Sequence, residues 1–409
     1  EIIGNNLKAL KKGYALGSEL SDSGRVRIGI EQDSAVGDEI LLSGAEALGM
    51  GAIAGGCNFI TAYPMTPSTG VFTFLAQHAG DFNIIAEQAE DEIAAMNMQL
   101  RAWYAGGKAM VTTSGGGFAL MVEGLSLAGM LESPAVISLG QRPGPATGLP
   151  TRTEQADLMF ALSAGHGEFP RIIYAPGTLQ EAFTLMQKAF EMADKFQVPV
   201  FVLSDQFLVD SISNIPPSKV ARSGRESYIV ETSKDYKRYL LTKNGISPRG
   251  IPGYGAGLVC VDSDEHDEEG HITEDLDLRT KMVNKRLKKL DLIKREIIPP
   301  ALIGKKKYRT LVVGWGSTHA VIREALEKIG DDTIAFLPVQ QVYPLHPKIA
   351  DLAKKARTTI IVENNATAQL AQLMKLHLGI EITKRILKYN GLPFSVEELA
   401  GKIAREAQA

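Results

Sequence analysis

Ala109-Met110-Val111-Thr112-Thr113-Ser114-Gly115-Gly116-Gly117-Phe118 passes from a short β-rich apolar run, through three glycines, into a helical stretch that continues to Leu131. A strand that turns directly into a helix needs a chain crossover before its next neighbour, and so predicts a parallel pair. The same alternation extends both ways. Glu92 to Tyr104 reads as helix before it, and Ala135 to Leu139 as strand after it. Further out lie the apolar runs Asn58 to Ala62, Phe82 to Ala86 and Val198 to Leu203. Helical stretches at Leu41 to Gly55, Val71 to His78 and Leu179 to Lys195 separate them. Short apolar strands between helices of this length imply an α/β fold, a doubly wound parallel sheet covered on both faces.

Residues 36–212 form this first domain. Before it, residues 1–35 are polar and weakly patterned and read as a linker or tail. After it, residues 213–300 are a loop-rich connector carrying Pro216-Pro217, Gly250, Pro252 and Gly253. The connector ends in a basic helix over Lys281 to Lys294, whose charges read as a solvated face. A smaller α/β domain occupies 301–409, starting at Thr310-Leu311-Val312-Val313-Gly314. It alternates through helix 317–329, strand 333–337, helix 347–355, strand 359–363 and helix 366–378.

The 409 residues exceed one ordinary core. Hydrophobic content of 44% and a net charge of -3 suit a globular protein with no nucleic acid or anionic membrane as partner. No apolar run approaches bilayer-spanning length. Cys57 and Cys260 stand far apart, which favours a reducing cytoplasm over a disulfide framework. Two thiolates are also fewer than the four that commonly hold an iron–sulfur cluster, so any such cluster belongs on a partner.

In an open α/β sheet, ligands gather at the carboxyl ends of strands, and three features fall there. Tyr63-Pro64-Met65-Thr66-Pro67-Ser68 holds Thr66 between two prolines that stiffen the turn; a helix cap at Ser68 or Thr69 is the plainer reading. Glu90-Asp91-Glu92 opens a helix, where acidic residues are favoured by the dipole in any case. The run Ile93-Ala94-Ala95-Met96 places the Glu92 carboxylate against packed surface, with a raised pKa. Ser114-Gly115-Gly116-Gly117 permits close backbone approach to a ligand. It has neither the lysine of a phosphate loop nor the spacing of a dinucleotide fingerprint. Gly314-Trp315-Gly316-Ser317-Thr318-His319 reads as a tight strand-to-helix turn. His266 and His271 are spaced five apart, wrong for one helical face.

Taken in order, Tyr-Pro-Met-Thr-Pro-Ser, Glu-Asp-Glu-Ile-Ala-Ala and Thr-Ser-Gly-Gly-Gly-Phe resemble the α subunit of 2-oxoacid:ferredoxin oxidoreductases. The segments Gln141 to Gln155 and His266 to Glu274 extend the resemblance, which covers about residues 38 to 400 and is most like the 2-oxoglutarate branch. It implies a thiamine diphosphate pyrimidine-binding domain followed by a transketolase C-terminal-like domain. Glu92, rather than Glu90, is then the catalytic carboxylate on the cofactor's pyrimidine, with Ser114, Gly115 and Gly116 lining the cofactor. Thr66, Arg142 and Thr151 are the substrate contacts, and Arg152 is the runner-up to Arg142. An ion pair with Glu154 is the plainer role for Arg142.

The resemblance implies oxidative decarboxylation of a 2-oxo acid to acyl-CoA and CO₂, with electrons passed to ferredoxin. It places Mg²⁺, the diphosphate half-site and a [4Fe-4S] cluster on a β subunit, in a heterotetramer of two α and two β chains that uses coenzyme A. Asn364-Asn365 has no Gly-Asp-Gly upstream, so it does not read as the diphosphate site. Some members carry a γ domain fused ahead of α; residues 1–35, opening on Glu1, fit either a cut from such a fusion or a processed end. A transketolase-type transferase and a non-catalytic assembly subunit are the alternatives.

Overall fold

A computed structural model describes residues 1–25, 29, 31, 33–217 and 226–408. What the tail and connector readings say of residues 26–28, 30, 32 and 218–225 lies outside the described residues. The chain divides into two units, Glu1–Glu39 and Ile40–Ala409.

The first unit carries α1 (Ile2–Asp22), a helix in which no residue is buried. The sequence reading expected a linker there. Leu7, Lys8, Ala9, Leu10, Lys11 and Lys12 are good helix formers, and they carry the helix through Gly4, Gly13 and Gly17.

The second unit runs β1 (Ile40–Ser43), α2 (Gly44–Gly55), β2 (Phe59–Ala62), α3 (Thr69–Gln77), α4 (Ala79–Phe82) and β3 (Ile85–Gln88). Next come α5 (Glu92–Tyr104), β4 (Ala109–Thr113), α6 (Gly115–Leu120), α7 (Val122–Met130), β5 (Ala135–Gln141) and α8 (Leu158–Ser163). Then follow β6 (Ile172–Tyr174), α9 (Leu179–Phe196), β7 (Pro199–Asp205), α10 (Gln206–Asp210) and β8 (Ile212–Ile215). Beyond the connector stand α11 (Leu276–Ile293), β9 (Thr310–Trp315), α12 (Thr318–Ile329), β10 (Ile334–Val339), β11 (Gln341–Tyr343) and α13 (Lys348–Lys355). The chain closes with β12 (Thr358–Glu363), α14 (Gln369–Leu378), β13 (Lys384–Leu387) and α15 (Val396–Gln408).

Among the described residues, one sheet has the order β11-β6-β7-β5-β4-β2-β3 and a second the order β10-β9-β12-β13. All pairs in both are parallel except β11 with β6. The doubly wound parallel architecture is therefore present. The chain passes from β2 outward to β3 and returns on the other side of β2 as β4. This reversal makes a crevice at the carboxyl ends of β2 and β4.

Local chemistry moves several boundaries. The helix expected from Leu41 starts at Gly44, because Ser43 and Glu46 form a reciprocal capping box: Ser43 N–H donates to Glu46 at 2.6 Å and Glu46 N–H to the Ser43 hydroxyl at 3.2 Å. Leu41 lies instead in β1, paired with β8. The helix expected from Phe118 to Leu131 is two, broken at Met121.

The division at residue 300 is crossed. β11 comes from the second half but pairs at the edge of the first sheet. One apolar cluster holds Leu139 and Leu158 from the first half with Trp315, Val342 and Leu370 from the second.

The basic helix departs most from expectation. Lys285, Arg286 and Lys289 on α11 are buried rather than solvated. Lys285 and Lys289 pair with the buried Glu132 at 2.5 and 2.6 Å, and Arg286 grips Glu265 with both amino groups at 3.0 and 2.9 Å. Burial by itself would raise the Glu132 carboxyl. The ammonium groups of Lys289 and Lys285, with Arg238, outweigh it and hold that carboxyl well below its usual range.

Candidate active site at the strand ends

Glu92 is the first residue of α5. Asp91 caps the helix by accepting from Ala94 N–H at 2.7 Å, which leaves Glu92 free to turn inward. It is 3% exposed, and its Oε1 is buried with no hydrogen-bond partner among the described residues. Burial raises its carboxyl above the usual range, and the neighbouring Asp91 charge adds to this against a backbone hydrogen bond. Glu90 is exposed.

The glycine turn faces this carboxylate. A Cβ on Gly117 would stand 2.4 Å from Glu92 Oε1 and 2.3 Å from the Thr113 hydroxyl. Only glycine leaves the carboxylate its place. Ser114 is the N-cap residue of α6 but makes no capping bond. Its hydroxyl is buried and also lacks a partner among the described residues. Gly116 is exposed, with the Ala146 carbonyl 3.8 Å from where its Cβ would be.

The Thr66 turn packs onto the same strand ends. Ser68 does not cap α3; its hydroxyl donates to the Met65 carbonyl at 2.7 Å and ties the turn to itself. Pro67 sits over Gly140 at the end of β5, where a Cβ would meet its ring at 2.9 Å. Arg142, just past β5, donates from Nη1 to the Thr66 carbonyl at 2.7 Å. Its Nε is buried with no partner among the described residues.

Asp157 joins the group, and the sequence reading passed over it. A Cβ on Gly115 would lie 2.7 Å from both its carboxylate oxygens, and its Oδ2 is buried without a partner among the described residues. Burial raises its carboxyl to about 6, against the pull of the Arg142 charge. That charge acts on Asp157, not in an ion pair with Glu154. Asp157 precedes α8 and looks like an ordinary cap, yet it makes no side-chain capping bond. Nothing in one sequence separates the two cases.

The second sheet clamps the segment that carries Asp157. Gln155 donates from Nε2 to the Trp315 carbonyl at 2.7 Å and accepts the Asn364 N–H on Oε1 at 2.9 Å. Asn365 Nδ2 donates to the Gln155 carbonyl at 3.1 Å. The Asn364-Asn365 pair thus serves the junction of the two sheets. The Gly314 to His319 segment is a tight strand-to-helix turn, with Thr318 Oγ1 bonded to the Trp315 carbonyl at 2.7 Å. His266 is wholly buried against the Tyr239 ring, centroids 3.8 Å apart.

Thr66, Arg142, Ser114, Gly115, Gly116 and Glu92 therefore fall on adjoining strand ends. Thr151 and Arg152 line a groove with Phe207, Leu392 and Pro393, and the loop before them closes through Leu149 N–H donating to the Pro143 carbonyl at 3.1 Å.

A buried carboxyl with a raised pKa favours its protonated form in the folded state, so folding is disfavoured once that group must ionise. The unfolded value is about 3.9. Asp157→Asn should thus raise the unfolding temperature above about pH 6. The gain should vanish below about pH 4, where both states are protonated. Thermal melts of the two proteins across pH check it; an equal gain at all pH values would contradict the ionisation argument.

Residues 50–285 match the family described as "Pyruvate flavodoxin/ferredoxin oxidoreductase, thiamine diP-bdg". The chain is 40% identical over 378 residues to the 2-oxoacid:ferredoxin oxidoreductase 1 subunit alpha of Sulfurisphaera tokodaii, which covers 88% of this chain and 60% of that one. It is 32% identical over 332 residues to the 2-oxoglutarate synthase subunit KorA of Archaeoglobus fulgidus, covering 80% and 88%. The chain spans about 60% of the length of the 2-oxoacid:ferredoxin oxidoreductase alpha subunits it matches. Among solved structures it resembles the 2-oxoglutarate:ferredoxin oxidoreductase from Magnetococcus marinus, described with 2-oxoglutarate, coenzyme A and succinyl-CoA bound. The TM-score is 0.90 at 32% identity, covering 98% of this chain and 71% of that one. A split-gene transketolase aligns at a TM-score of 0.51 and 10% identity, covering 90% and 98%, a likeness of fold alone. Among the described residues no helix is long and apolar enough to cross a membrane.

Proposed function

Because this chain belongs to the pyruvate flavodoxin/ferredoxin oxidoreductase family, we propose that it is the α subunit of a 2-oxoacid:ferredoxin oxidoreductase, contributing the pyrimidine half of a thiamine diphosphate site. The observation that carries this is the Glu92 carboxylate, buried, raised in pKa and unpartnered at Oε1 beside the glycine turn. An uncharged ring nitrogen able to share a proton is the group such a carboxyl accepts without a second buried charge. The exposed Gly116 leaves room for a flat ring to approach the backbone. The residues present fit the pyrimidine half of the cofactor.

Thiamine diphosphate, when bound, supplies the electron sink that decarboxylation of a 2-oxo acid needs. Glu92 would hold the pyrimidine proton at Oε1 in a site from which packing excludes water. Ser114 would offer its unpartnered hydroxyl. Thr66 and Arg142 are the substrate contacts in this reading: Arg142 Nη1 donates to the Thr66 carbonyl, which ties the guanidinium to the threonine turn. Its Nε makes no bond among the described residues, and a planar fork gives a carboxylate paired bonds.

A β subunit would complete the site with Mg²⁺, the diphosphate contacts and an iron–sulfur cluster, passing electrons to ferredoxin while coenzyme A accepts the acyl group. Support comes from large apolar side chains left exposed on the segments that carry the site: Tyr63, Ile93, Leu120 and Leu149. Exposed apolar surface of this kind marks a covered face. A heterotetramer of two α and two β chains, working in the cytoplasm, is the assembly this reading expects.

The substrate is 2-oxoglutarate in this reading, supported by the KorA relatives and by the compound named with the Magnetococcus marinus enzyme. Arg142→Met tests it in the complex reconstituted with the β subunit. If Arg142 holds the distal carboxylate, the KM for 2-oxoglutarate should rise by roughly 10–100-fold, the worth of a charge-assisted pair, and that for pyruvate far less. An equal rise for both places Arg142 on the carboxylate that the two substrates share.

A further inference from the structure

The C-terminal half of α5 borders a cavity of about 290 Å³ that takes no part in the site at its N-terminus. Glu92 and Trp103 are eleven residues apart on one helix, so the two places are separated by roughly 16 Å along its axis. The cavity lies between α5, the end of α7 and the connector. Its apolar wall is built from Trp103, Leu127 and Leu131, and its charged wall from Arg101, Arg238 and Arg249. Among the described residues its lining holds no Asp or Glu.

Two of these arginines are deeply buried, each 4% exposed. Arg238 spends Nη2 on the carbonyls of Leu131 and Glu132, at 3.2 and 2.8 Å, while Nη1 has no partner among the described residues. Arg249 bonds the Trp103 carbonyl at 3.1 Å and Asp194 at 2.6 Å, while Nε has none. Asp194 is also claimed by Lys108 at 3.2 Å, and Glu132 by Lys285 and Lys289. Two carboxylates thus serve five cations, of which Arg238 and Arg249 line this cavity. A buried cation without its own counter-ion is costly, and an anion placed beside it recovers that cost.

We propose that this cavity binds a small monocarboxylate with an apolar body, its carboxylate between Arg238 and Arg249 and its hydrocarbon on Trp103 and Leu127. The volume is near the lower end of the roughly 300–1,000 Å³ seen for small-molecule sites, and the mix of an apolar wall with a few convergent polar groups is theirs. A bare inorganic anion would leave the apolar wall uncovered, and a neutral alcohol would leave the guanidinium groups uncompensated.

Calorimetric titration of the full chain with octanoate, octanol and sulfate separates these cases. Octanoate should bind saturably at one per chain, with octanol and sulfate each at least about tenfold weaker, the worth of one charge-assisted contact. Leu127→Trp, on a half-buried wall position, should fill the space and abolish octanoate binding while the chain still melts cooperatively. Arg238→Met should weaken octanoate and leave octanol unchanged. Absent or non-saturating octanoate binding, equal affinity for octanol or sulfate, or undiminished binding in Leu127→Trp would each overturn the proposal. The readout is binding, so it stands apart from the thiamine site and from any assignment of substrate.

Discussion

Glu92→Gln in the reconstituted complex should lower turnover by roughly 10²–10⁴-fold, the usual contribution of a positioned proton-transfer group, while the two subunits still assemble. The amide keeps the shape and the buried position of Glu92 but cannot hold or release the proton at Oε1. Its folding effect should be mildly favourable, because the carboxyl that burial opposes is gone. Two measurements therefore move in opposite directions. Steady-state turnover falls, and the unfolding temperature of the chain at neutral pH holds or rises. Near-normal turnover would remove Glu92 from the chemistry, and a collapse of stability would make it a structural residue.

The second large effect lies away from the site. Glu132→Gln should destabilise the chain by about 3–5 kcal/mol, the usual cost of removing one partner from a buried ion pair. Lys285 and Lys289 would keep their charges in the interior with no carboxylate, beside Arg238. Glu132 adopts a φ of 48°, in the left-handed region. A non-glycine residue holds that conformation only where its surroundings over-determine it; here Arg238 holds the Glu132 carbonyl at 2.8 Å and two ammonium groups hold its carboxylate. Urea titration of the variant checks the figure. A loss under about 1 kcal/mol, the range of exposed pairs, would mean that the connector helix is not anchored by this cluster. The cost should shrink at high pH. Burial lowers Lys289 to about 8 even with Glu132 holding it up; without Glu132 it falls further, so the variant sheds that stranded charge as pH rises toward about 8.

These predictions mark how far the sequence could be read. The parallel sheet was legible because each strand and helix announces itself over a few adjacent residues. Glu92–Tyr104 and Ala109–Thr113 fall where period and composition put them. The succession of the Thr66 turn, the Glu92 helix and the Gly115 turn was legible too, since each occupies a strand end whose position follows from the alternation.

What escaped depends on partners remote in the chain. The buried lysines of α11 look solvated because Glu132 is 153 residues from Lys285. β11 looks like part of the second domain because its pairing partner, β6, was given by a run of three residues. Asp157 looks like a cap because its contacts, Gly115 and Arg142, lie on other elements.

By itself, then, the sequence determined the alternating fold and the family, and it singled out Glu92 as the carboxylate proposed to carry the chemistry, since all three rest on local pattern and ordered motifs. Tertiary structure alone decided which charges are buried, which loop residues share the site, and that an arginine-lined cavity lies behind the helix of Glu92. Burial and charge pairing are properties of distance in space, and a periodic pattern along the chain carries no record of them.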